Sequence, residues 1–106
     1  MRNVAHTTFA ERLAYARLVF HYRTGKAPGN AEIARSAGRT GEWLTKWERS
    51  PTPPRDYTVH APIAAYLGAD ERWLFRGEGE PPMPQLWEEW YAPDAAVERL
   101  KRPRFS

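Results

Sequence analysis

The side chains able to do covalent or metal chemistry are few and scattered. His6, His21 and His60 share no metal-ligand spacing, such as two histidines four apart with a nearby acid. The chain has no cysteine, which removes thiol nucleophiles, thiolate ligands and any disulfide framework. Glu88 and Glu89 stand between Trp87 and Trp90 on a surface helix, where paired carboxylates are solvated. No glycine-rich phosphate loop follows a strand, because no strand pattern is visible. The sequence therefore does not read as an enzyme, and it implies no cofactor and no metal. What it offers is hydrogen bonding and charge. Asn30, Arg39, Thr40, Glu42, Thr45, Lys46 and Arg49 crowd into residues 30–49. Their amide, hydroxyl, carboxylate, ammonium and guanidinium groups are those that contact bases and phosphates.

The same stretch supplies the elements that would position them. Ile33, Ala34 and Ala37 fall on one face of a first short helix. Gly38 follows where that helix must stop, because glycine accepts the left-handed conformation of a C-terminal cap. Thr40 is placed to cap a second helix, and Leu44 and Trp47, three apart, form its buried side. Ala34 leaves room for two helices to cross closely over the turn. This spacing meets the needs of a helix-turn-helix whose second helix is built to lie in a DNA groove; any helical hairpin with a glycine turn is the plainer alternative.

A chain of 106 residues suggests one domain, small enough that a dimer interface would help stabilise it. Hydrophobic content of 42% with 13% aromatics is that of a globular chain. The N-terminus carries no apolar signal core, and no stretch approaches the roughly 18 apolar residues of a membrane span. The expectation is a soluble, cytoplasmic protein, nucleoid-associated when bound to DNA. The net charge of +3 is uneven. Residues 1–50 hold nine Lys/Arg against four Glu, and residues 51–106 hold seven against nine Asp/Glu. The basic half contains the helical pair, where a phosphate footprint belongs.

Elsewhere, Thr8 and Glu11 form a capping-box pattern ahead of Phe9, Leu13, Ala16 and Phe20, an apolar stripe on a helix running to about Tyr22. Arg12 and Arg17 lie off that stripe. Arg23 to Gly29 reads as a loop, and the prolines of 50–54 as a stiff connection. Ile63, Ala64 and Leu67 predict a fourth helix ending at Gly68, with Pro62 in its first turn. Asp70 caps a fifth that closes at Gly77, with Trp73 and Leu74 inward. Domain one is expected over 1–84. The tail, 85–106, carries Leu86, Trp87, Trp90 and Tyr91 on one aromatic face, then Asp94 capping a last helix through Leu100 with Val97 inward.

On these residues the chain resembles the lambda-repressor-like, or XRE-type, helix-turn-helix family. Phe-Ala-Glu-Arg-Leu at 9–13 with Arg17 is similar to that family's first helix. Residues 30–49, ending Trp47-Glu48-Arg49, resemble its second and third. Ile63 through Asp70, then Trp73-Leu74 and Gly77 through Pro82, resemble its fourth, fifth and closing segment. The resemblance covers residues 9–82. It implies an all-α, five-helix fold, here followed by an aromatic helical tail, and a regulator of transcription of the phage, prophage or bacterial repressor type. Helix 40–48 would enter the major groove with Thr40, Gly41, Glu42, Thr45 and Lys46 facing base edges. Lys46 suits guanine O6 and N7, Glu42 cytosine N4, and Thr45 a polar edge or a thymine methyl. Asn30, Arg39, Arg49 and Arg17 would contact phosphates.

The chain departs from the family pattern in three places. The loop between the first two helices is longer, and brings Lys26. Trp43 stands where the family has a small residue, and either packs on a neighbour or shifts the helix in the groove. Gly41 leaves a base-reading position without a side chain. The implied partner is a near-palindromic double-stranded DNA operator bound by a homodimer. Leu86, Trp87, Trp90 and Tyr91 are the candidate dimer or partner contacts, against a tail that folds back on its own domain. The rival reading is an antitoxin or adaptor that chiefly binds a protein, whether toxin, antirepressor or transcription machinery.

Overall fold

A computed structural model of the chain describes residues 8–91, with side chains as far as residue 87. Every element among them is helical: α1 (Phe9–Thr24), α2 (Asn30–Arg35), α3 (Gly41–Glu48), α4 (His60–Leu67), α5 (Glu71–Arg76) and α6 (Pro84–Tyr91), with a single 3-10 turn at Tyr57–Val59 before α4. The expected helix of residues 94–100 and the side chains of Trp90 and Tyr91 lie outside the described part.

The helix ends follow from local chemistry. The Thr8 hydroxyl accepts from the Glu11 N–H while Glu11 Oε1 accepts from Thr8 N, so two otherwise unpaired donors of the first turn are satisfied. Thr40 caps α3 by accepting from Trp43 N, and Asp70 caps α5 by accepting from Arg72 N. Gly68 and Gly77 end α4 and α5 in the left-handed region. Pro62 sits in the first turn of α4, where it costs no helical hydrogen bond.

The helices surround one core. Phe9, Leu13, Tyr15, Ala16 and Val19 enter it from α1, Ile33 and Ala34 from α2, Leu44 from α3, Ile63, Ala64 and Leu67 from α4, and Trp73, Leu74 and Phe75 from α5. Because α3, α4 and α5 all pack on α1, that helix buries more than a single stripe. Tyr15, Val19 and Arg12 are buried beside the expected Phe9, Leu13 and Ala16. Phe20 is only half-buried, stacked on Tyr66 at 5.3 Å.

Arg12 is the clearest correction on this helix. Its Nε donates to Leu74 O at 2.9 Å, a carbonyl in the last turn of α5 that has no helical partner. The loop after α1 is shorter than expected, because the helix continues to Thr24 and Gly25 caps it at φ 78°. Trp47, expected in the core, lies half-buried at its edge.

Of the two courses open to the tail, Trp87 takes the one that folds back on the domain. It is 5% exposed and meets Tyr15 and Trp73 edge-to-face at 4.7 and 5.4 Å. The Tyr15 hydroxyl reaches Pro82 O and Met83 O, tying the segment ahead of α6 to α1. The start of the tail belongs to the same core.

Candidate nucleic-acid interface

The residues of interest converge on α3. It begins against α2: a Cβ on Gly41 would lie 3.1 and 3.2 Å from Ala31 N and Cα. A side chain at this position would press on the α2 backbone, so its absence suits the close packing of the two helices. The turn between the two helices passes through Gly38 at φ 70° and is closed by Arg39 N donating to Ala34 O at 2.9 Å. Ala34 is fully buried where the helices meet.

Behind α3 a polar network joins three helices. Arg17 on α1 donates to Asn30 Oδ1 at 2.7 Å and lies 3.8 Å from Glu48 Oε2. The Asn30 amide donates to Thr45 Oγ1 at 2.9 Å and to Glu48 Oε1. The Thr45 hydroxyl in turn donates to Gly41 O at 3.0 Å. Three residues expected to face DNA are thus engaged with one another. The Asn30 amide and the Thr45 hydroxyl have committed their donors inside the protein, and the Arg17 guanidinium is pinned by an amide oxygen and a carboxylate.

Glu48 entered the sequence reading only within the Trp47-Glu48-Arg49 match, with no role of its own. Its partners are 18 and 31 positions away, and no local spacing links residues so far apart.

The outward side of α3 is different. Thr40, Glu42, Lys46 and Arg49 are exposed, and positions 42, 46 and 49 share one helical face. Glu42 and Lys46 form no ion pair among the described residues. Trp43 is half-buried against the core, so packing on a neighbouring element accounts for its size. Arg39 precedes the Thr40 cap, forms an ion pair with Asp56, and lies over the Trp43 ring at 5.8 Å.

Asp56 is held by Thr58, whose N–H and hydroxyl donate to Oδ1 at 3.0 and 2.6 Å. Those hydrogen bonds, with the neighbouring Arg39 charge, keep its carboxyl below the usual carboxylate range.

Away from α3, a cleft of about 240 Å³ lies between the proline connection and α5. Its floor includes His60, whose ring stacks on Phe75 at 3.9 Å and bonds Pro54 O through Nε2. Among the described residues no cluster of His, Asp or Glu is placed to hold a metal, and no helix is long and apolar enough to cross a membrane. Comparison with protein-family models, with characterised proteins and with solved structures gave no match.

Proposed function

We propose that the protein is a sequence-specific double-stranded DNA-binding regulator of transcription, with α2 and α3 as its helix-turn-helix and α3 as the helix that enters the major groove. One observation carries the reading. The inner side of α3 is fixed to α1 and α2 by the Arg17–Asn30–Thr45–Glu48 network and by the Gly41–Ala31 approach, while its outer side is solvent-facing and carries no ion pair among the described residues. A rigid element presenting uncommitted donors and acceptors is what base reading requires.

On this reading Lys46 donates to guanine O6 and N7, Glu42 accepts from cytosine N4, and the Thr40 side of the helix meets base edges. Arg49 supplies phosphate charge. Arg17, Asn30 and Thr45 set the angle of α3, and a phosphate contact by the Asn30 amide requires it to leave the network. A two-fold dimer would place two such helices about 34 Å apart on a near-palindromic operator. Occupying a promoter is enough to repress it.

Selection of bound genomic fragments at about 0.1 M salt, with Lys46→Ala alongside, tests the reading; salt is held constant because phosphate contacts vary steeply with it. Enrichment of a short inverted repeat, weakened about tenfold by Lys46→Ala, is the expected result. Weak, sequence-blind binding indifferent to Lys46 overturns it.

A protein-binding role, as antitoxin or adaptor, is favoured by one feature. Leu18 and Tyr22, four apart on α1, are 37% and 72% exposed. If that role dominates, Tyr22→Ser abolishes partner capture and leaves DNA affinity unchanged.

A further inference from the structure

Arginine at a DNA surface can serve in two ways. A phosphate contact needs charge and tolerates any orientation. A guanine contact needs the planar fork aimed at O6 and N7 together. Arg39 is constrained as the second use demands. Its backbone is locked by the N–H bond to Ala34 O. Its guanidinium lies over Trp43, and one terminal nitrogen donates to Asp56 Oδ2. The carboxylate is itself immobilised, since its other oxygen takes both Thr58 donors. Yet the Arg39 side chain remains 40% exposed. Five N–H donors on a guanidinium leave several free after one is spent on Asp56.

An exposed ion pair and an exposed cation–π contact each contribute little to holding a fold together. A charge meant only for phosphate is also weakened by a carboxylate beside it. We infer that Arg39 is a specificity-determining side chain that reads a guanine edge, aimed by two positioning residues, Trp43 beneath it and Asp56 beside it. The inference rests on α3 binding DNA. It also assigns Asp56 a second effect: its negative charge disfavours phosphate-only encounters, so the pair raises the ratio of specific to non-specific affinity.

The test measures binding of the full chain, by fluorescence anisotropy at constant salt, to its selected operator and to scrambled DNA. Arg39→Lys keeps the charge and loses the fork. It is expected to lower operator affinity about tenfold, relax the requirement for one guanine, and leave scrambled-DNA affinity unchanged. Asp56→Asn keeps a side chain able to cap the 3-10 turn. It is expected to tighten scrambled-DNA binding while operator binding weakens, and Asp56→Glu restores the ratio.

Arg39→Lys with an intact ratio and unchanged base preference overturns the inference. So does Asp56→Asn that strengthens both DNAs equally. A wild-type protein without sequence preference overturns the DNA-binding reading along with it, whereas a specific wild type with indifferent variants overturns this inference alone.

Discussion

Gly41 shows how one residue's chemistry changes meaning with its neighbour. By helix position it is a base-reading site without a side chain; by contact it is the point where α3 touches the α2 backbone. Alanine gains up to about 1 kcal/mol of helix propensity in a helix interior, less at a first helical position, whereas pressing a methyl against backbone costs about 1–3 kcal/mol. Gly41→Ala is therefore expected to destabilise the domain by about 1 kcal/mol, seen as a lowered denaturation midpoint with an unchanged slope. A midpoint that rises would show that α2 yields. The sequence marked Gly41 as unusual, but the reason lay ten positions away in Ala31. Arg12 teaches the same lesson: a charged residue off the apolar stripe is buried, with its Nε donating to Leu74 O, 62 positions away.

At the scale of elements, the joints between helices are polar as well as apolar. Asn30 stands at the centre of the joint of α1, α2 and α3, and Asn30→Ala leaves Glu48 and Thr45 each short of a donor. The expected cost is about 1–3 kcal/mol, measured by urea unfolding. If the reading of α3 is right, operator affinity falls further than stability alone explains, because the helix loses its angle.

The joint of α1 with the segment before α6 is Tyr15. Burial pushes its hydroxyl from 10.0 up to about 12, against the smaller opposing effects of Arg23 and of its backbone hydrogen bond. A raised folded-state value means that the neutral phenol is favoured by folding. Its contribution is intact below about pH 10 and is lost as pH rises toward about 12. Urea melts across that window are expected to show this loss in the wild type and a flatter profile in Tyr15→Phe, which is less stable at neutral pH by about 1 kcal/mol. Equal alkaline losses in both proteins would assign the effect to other groups.

For the molecule as a whole, the extent of the core is the main point. Trp87 lies beyond Pro81, Pro82 and Pro84, yet it packs into the core against Tyr15 and Trp73. Trp87→Ala is expected to cost about 3–5 kcal/mol, and a chain cut after residue 84 to melt at much lower temperature than the full one. Calorimetry decides, and a truncated chain of wild-type stability would return Trp87 to the role of an intermolecular contact.

The sequence by itself determined the helical class, the caps at Thr8, Thr40, Asp70, Gly68 and Gly77, and most of the apolar core. These depend on residues three or four apart, where periodicity and capping chemistry act. Tertiary structure alone decided that Arg17, Asn30, Thr45 and Glu48 face one another, that Asp56 meets Arg39, and that Trp87 turns inward. Those pairings join residues far apart in the chain. Their energies come from close approach and from satisfying buried polar groups, which exist only once the helices have packed.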